Sequence, residues 1–307
     1  MGHLFRGINL AHALRHNGDD CRFVINDDAV AIDIIKRENF PVLHTRLDDL
    51  CSGWERPIIE HQKIDVWIND RLAITTAHAH LVKQSDILLV TLDDESIGAQ
   101  EADLNICALP CIFARLDLQG KQVVRGIDYL VLNPVIAALR RRHRSVERIL
   151  VSMGGSDTYG VTVEVVRQLL AAEITTTVIL GPNFRHRQDL DKVVNGRMTI
   201  KQHVPSLLEE LAAHDLAITG GGITPFEANA LGVPCLIIAT EAHEEANAMF
   251  LHELGTSTYI GARQDFSIQG YIGTLDVTKM SQRGLENLPL NGCENVIREI
   301  RNTWAKQ

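Results

Sequence analysis

The chain has 307 residues, 45% hydrophobic and 22% charged, with a formal net charge of -9; at about twice a typical domain length it is expected to form two domains. An acidic balance argues against a broad nucleic-acid footprint, which needs clustered Lys and Arg, and no apolar run is long enough to cross a bilayer. Six scattered cysteines, Cys21, Cys51, Cys107, Cys111, Cys235 and Cys293, lack CxxC spacing; with no visible signal peptide this reads as reduced thiols in a cytoplasmic protein, not an integral membrane one.

The sequence opens with a helical pattern from about Leu4 to His16, with Gly18 as its stop and no strand before it. The first strand of a doubly wound sheet is usually central, so the expectation is a natural product that begins upstream and a first half that lacks that strand. Strands are expected near 21–25, 41–43, 66–69, 87–92, 104–107 and 129–132, with Asp93 and Asp94 forming a solvated turn after ILLVTL. The RRRHR run at 140–144 reads as a solvated linker or helix end. It falls in the expected boundary, giving an N-terminal domain at 1–140 and a C-terminal one at 147–307.

Beyond the boundary, strands are expected at 149–153, 175–180, 198–204, 216–219, 235–240 and 257–261. Their near-continuous apolar runs call for helices on both sheet faces. Alternation of short β-branched runs with helical patterns makes both halves α/β, each a doubly wound layer with a parallel sheet. A last helical stretch at 293–304 has no strand after it.

The strongest chemical signal is ITGGGITPFEANALGVPC at 218–235. An apolar strand ends in glycines, Thr224 is placed to cap a helix beginning at Pro225, and Glu227 lies one turn in. Glycines admit a phosphate to the backbone, free N–H groups and the helix dipole stabilise its charge, and a carboxylate accepts ribose hydroxyls; the alternative is a plain strand-to-helix turn. A second turn, SMGGSDTYG at 152–160, offers Gly154, Gly155, Ser156 and Asp157 for phosphate binding or capping. His3 opens the first helix as a candidate general base, with Arg6 one turn further to neutralise phosphate; a frayed terminal histidine is the alternative. The polar run ATEAHEEANAMF at 239–250 offers His243, Glu244 and Asn247 for sugar hydroxyls. It lacks a paired-histidine motif such as HExxH, so no metal is expected.

Taken together, the GHLFR start, MGGSD, the GGGITPFE segment and EAHEEANA resemble the GT-B nucleotide-sugar enzymes. Within these the chain is most similar to the UDP-sugar hydrolases of pseudaminic acid biosynthesis and the related spore coat polysaccharide proteins, and more distantly to the lipid-linked N-acetylglucosaminyltransferase of peptidoglycan synthesis. IDVWINDR, TLDD and GIDYLVLNP extend the likeness over nearly the whole chain. The resemblance implies two Rossmann-like domains facing a central cleft, with no cofactor. UDP would lie on the C-terminal half, its diphosphate on Gly221, Gly222, Ile223 and Thr224 and its ribose on Glu227. His3 would activate the attacking water that cleaves the glycosyl C–O bond. The chain departs from the hydrolase pattern at the first glycine of GxGH and at the Asn-Gln pair of the sugar loop. A glycosyltransferase or a silent nucleotide-sugar-binding subunit are the other readings, and the oligomeric state stays open.

Overall fold

A computed structural model describes residues 2–49, 52–71, 73–115, 117–202 and 204–306. Cys51 and His203, within two of the expectations above, lie outside these residues, and no disulfide joins the described cysteines. The chain divides into two compact units, Met1–Asn133 with Asn291–Gln307, and Pro134–Leu290.

The first unit begins with helix α1 (Gly2–His16), which buries Ile8, Leu10 and Ala11 and stops at Gly18 in the left-handed region, φ 92. It continues through β1 (Phe23–Ile25), α2 (Ala29–Arg37), β2 (Val42–His44), α3 (Glu55–His61), β3 (Val66–Asn69), α4 (Thr76–Lys83), β4 (Leu88–Leu92), β5 (Leu104–Cys107), α5 (Pro110–Phe113) and β6 (Val123–Arg125). All its strands pair in parallel, in two sheets, β1-β2 and β3-β4-β5-β6. Strand β4 is buried along its whole length, as a central strand of a two-sided layer must be.

The second unit contains α6 (Ile136–Leu139), β7 (Ile149–Ser152), α7 (Val161–Ala171), β8 (Thr176–Leu180), α8 (Arg187–Asp191), β9 (Met198–Gln202), α9 (Leu207–Ala212), β10 (Leu216–Gly220), α10 (Thr224–Ala230), β11 (Cys235–Ala239), α11 (Glu244–Glu253), β12 (Ser257–Ala262), β13 (Asp265–Phe266) and α12 (Val277–Asn287). Its sheet has the order β13-β12-β11-β10-β7-β8-β9, parallel except for β13. From β7 the chain winds outward through β8 and β9, then returns to β10 on the other side of β7 and winds away. Neighbours β7 and β10 therefore form the topological switch point, where such sheets bind ligands beyond their carboxyl ends.

The last helix, α13 (Gly292–Trp304), belongs to the first unit, which corrects the expected 147–307 domain. Val296, Ile297 and Ile300 join one core cluster with Leu88, Val90, Ile106 and Val131. This packing also explains why no strand forms at 129–132. Leu130, Val131 and Leu132 are buried, and α13 comes so close that a side chain on Gly292 would strike the Leu130 carbonyl. The fourth strand of the sheet is instead β6, three residues long and only partly buried.

The boundary also lies earlier than 140. The 140–144 run is solvated at Arg141, Arg142 and Arg144 but not throughout: His143 is buried and its amide donates to Ser281 Oγ at 2.9 Å, while Arg140 donates to the Leu285 carbonyl at 2.5 Å. These bonds strap the segment onto the second unit. Likewise Asp93 and Asp94 are 1% and 0% exposed rather than solvated: hydrogen bonds replace the water of Asp93, and Ser96 that of Asp94 Oδ1. No helix among the described residues is long and apolar enough to cross a membrane.

Candidate functional site

Both glycine turns lie at the switch point of the second unit. Ser152 of β7 is in register with Thr219 of β10, so Gly154–Ser156 and Gly220–Gly222 leave the sheet side by side. Gly154 needs the left-handed region, φ 85, and both it and Gly155 have open space where a side chain would stand. Ser156 is exposed and its hydroxyl lies 3.1 Å from that of Thr158. Asp157 caps α7, accepting from Val161 N at 2.8 Å and Thr162 N at 2.9 Å, so that helix end already holds an anion of its own.

After β10, the amides of Gly222, Ile223 and Thr224 have no intramolecular acceptor among the described residues. They are the free donors of this turn. Thr224 does not cap α10 as expected, because it is the first helical residue and the cap position falls on Ile223, which makes no side-chain bond. Half-buried Glu227 faces no hydrogen-bond partner among the described residues, and burial pushes its carboxyl up to about 7.

Two members of the polar run turn inward instead of standing free. Glu244 Oε2 accepts from Gly221 N (3.2 Å), Thr240 N (2.8 Å), Thr240 Oγ1 (2.8 Å) and Glu241 N (3.3 Å). Asn247 is buried and its Nδ2 donates to the Gly221 carbonyl at 3.0 Å. The expected sugar ligands Glu244 and Asn247 thus brace the turn, and a Cβ on Gly221 would sit 2.7 Å from Glu244 Cβ. The Gly221 amide, expected on diphosphate, is spent on this brace. Exposed His243 is the one of the three that makes no such bond among the described residues.

Sequence reasoning missed two further residues here. Gly181, after β8, packs against the Gly154 and Gly155 carbonyls so tightly that any side chain would collide. Arg263, after β12, donates to the Thr240 carbonyl at 2.6 Å. Neither had a motif to mark it.

In the first unit, His3 and Arg6 converge on carboxylates at strand ends. His3 Nδ1 lies 2.7 Å from Asp70 Oδ1, and the Nε2 of this exposed ring makes no bond among the described residues. Arg6 donates to Asp70 through Nε at 2.9 Å and through Nη2, and to Asp93 through Nη1. Two carboxylates therefore take the guanidinium expected to meet phosphate. Burial opposes charge on both sides of the pair, but the carboxylates raise the Arg6 pKa above its ordinary value, while Arg6 and His3 hold Asp70 below its own.

Asp93 has a left-handed backbone, φ 52, and its Oδ1 accepts from Ala108 N and Leu109 N at 2.7 and 3.2 Å. Such bonds compensate a conformation that costs energy. The neighbour of Asp70 faces elsewhere: Asn69 Nδ2 lies 3.0 Å from His78 Nε2, and His78 Nδ1 lies 2.8 Å from Glu55 Oε1. The IDVWINDR segment contained Asp70, and its polar Asn-Asp pair at a strand end was the available signal.

No family model matches the chain. It is 26% identical over 279 residues to the spore coat polysaccharide biosynthesis protein SpsG of Bacillus subtilis, covering 85% of this chain and 80% of that protein. To an uncharacterized protein of Methanocaldococcus jannaschii it is 26% identical over 259 residues, 78% of this chain and 52% of that one, so it spans about half the length of that relative. Among solved structures it is similar to MurG of Acinetobacter baumannii, with a TM-score of 0.69 at 14% identity over 98% of this chain and 96% of that one. The spinosyn forosaminyltransferase SpnP gives 0.64 at 15% over 97% and 95%. HepE of Anabaena, solved with UDP and glucose, gives 0.63 at 13% over 98% and 96%. The fold is α/β of the GT-B type, built from two Rossmann-like domains.

Proposed function

We propose that the chain is an enzyme of surface polysaccharide or nonulosonic acid biosynthesis that hydrolyses a UDP-sugar. The second unit holds UDP, with diphosphate at the free amides of Gly222, Ile223 and Thr224 and beside Gly154, Gly155 and Ser156, and ribose on Glu227. His243 meets the sugar. His3 of the first unit is the general base.

The observation that carries this reading is the His3–Asp70 pair. A carboxylate on Nδ1 fixes the tautomer with its proton on that side and leaves the Nε2 lone pair free, the arrangement a general base requires. In the step, Nε2 takes a proton from water as the water oxygen bonds the anomeric carbon. The C–O bond to the diphosphate breaks and its electron pair departs on UDP. Asp70 then stabilises the imidazolium.

A second reading, transfer to an acceptor, is supported by the fold shared with MurG and SpnP. There an acceptor hydroxyl replaces water in the same step. The test is a panel of UDP-sugars incubated with and without acceptor, in oxygen-labelled water. UDP release without acceptor, with the label in the sugar, supports hydrolysis, and release only with acceptor supports transfer. Binding without turnover in either case leaves a silent binding subunit and sinks the enzymatic reading.

A further inference from the structure

Arg263 combines three features seen in no other basic residue of the second unit among the described residues. Its Cζ lies 3.6 Å from the centroid of the Tyr159 ring, which belongs to the turn after β7. Its Nη1 donates to the carbonyl of Thr240 after β11. No carboxylate pairs with it among the described residues. A cation held on a ring face and by one carbonyl keeps its remaining N–H groups for a ligand.

Thr240 links this cation to the free amides. Its carbonyl holds Arg263, and its hydroxyl donates to Glu244, whose carboxylate also holds the Gly221 amide. A diphosphate arriving at Gly222–Thr224 would therefore lie beside a fixed carboxylate, and the helix α10 is too short to offset that charge alone. Among the described residues, no lysine and no other arginine hydrogen-bonds to either glycine turn, to Thr240 or to Glu244.

We propose that Arg263, presented by Tyr159 and Thr240, is the cation that receives the charge of the nucleotide diphosphate. This rests on the reading that the second unit holds a nucleoside diphosphate. Arginine suits the task because its planar fork matches phosphate oxygens. As the glycosyl bond breaks, the same guanidinium would stabilise the charge that gathers on departing UDP.

The experiment is calorimetric titration of uridine, UMP and UDP into the full chain and its variants. With wild type, affinity should rise from uridine to UDP. Arg263→Gln, which keeps a donor for the Thr240 carbonyl, should weaken UDP roughly ten- to a hundredfold and leave uridine unchanged. Tyr159→Phe should bind UDP as wild type, whereas Tyr159→Ala should weaken it severalfold. Arg263→Lys, the milder substitution should the Gln variant not fold, should retain part of the preference for UDP over uridine. Equal UDP affinity in wild type and Arg263→Gln would overturn the assignment, and so would a parallel loss of UDP and uridine, which marks a structural role. A wild-type chain that binds none of the three overturns the reading of the second unit along with it.

Discussion

His3 and Asp70 are 67 residues apart in sequence, yet their side chains meet at 2.7 Å, the histidine from the first turn of α1 and the carboxylate from the end of β3. Arg6 fixes the same carboxylate from a second direction, so Asp70 cannot swing away without breaking a half-buried ion pair. An exposed histidine is thereby held by a carboxylate that is itself anchored.

If this pair works as proposed, His3→Ala should lower turnover at least about a hundredfold, the usual scale for losing a general base. Asp70→Asn, which permits the wrong tautomer, should cost on the order of a hundred- to ten-thousandfold. Neither should change the dissociation constant of UDP, since both residues belong to the first unit. Steady-state rates and UDP titrations on the same preparations check this; full activity in His3→Ala refutes the assignment.

Glu227 should make stability depend on pH in an unusual sense. Its folded pKa, about 7, exceeds that of an unfolded chain, so the native state holds an extra proton between the two values. Stability should then fall as pH rises from the ordinary carboxylate range through about 7, by at most about 3 kcal/mol. Denaturant melts across this range should show the slope in wild type and not in Glu227→Gln. UDP affinity should rise over the same interval as the carboxylate ionises to accept ribose hydroxyls, and Glu227→Ala should narrow the preference for UDP over its deoxyribose analogue.

Three glycines should separate packing from ligand approach. Gly181→Ala and Gly221→Ala drive a methyl group into the Gly154–Gly155 carbonyls and into Glu244 respectively, and each should destabilise by about 1–3 kcal/mol. Gly155→Ala meets nothing within 4 Å and should shift stability by less than about 0.5 kcal/mol while weakening UDP. Unchanged UDP affinity in Gly155→Ala would remove that turn from the site.

The Glu55–His78 pair should matter for stability alone. Burial holds the His78 pKa below its ordinary value, against the opposing pull of Glu55, so the folded state resists a proton that the unfolded chain accepts. Stability should decline as pH falls below about 6.5, and His78→Gln should flatten that limb. Glu55→Ala, which strands the buried imidazole, should cost about 2–4 kcal/mol in thermal or denaturant melts.

Much of the fold was legible because burial writes itself into local pattern. The runs at 88–92, 149–152 and 235–239 are apolar at nearly every position, and each forms a strand covered on both faces. The failures occurred where burial came from an unexpected partner. The 129–132 segment is as apolar as a strand but is covered by α13. Asp93 looks like part of a solvated turn, and the cation that neutralises it, Arg6, is not adjacent in sequence.

The site divides the same way. The amino-acid sequence determined the glycine turns and the short helix after them, with Glu227 in its first turn, all consequences of backbone preference over a few residues. Only the tertiary structure decided that Glu244 braces Gly221, that two carboxylates take Arg6, and that Asp70 holds His3. Local pattern reports which residues are buried and how the backbone turns, whereas a hydrogen bond between distant side chains depends on how the intervening strands and helices pack.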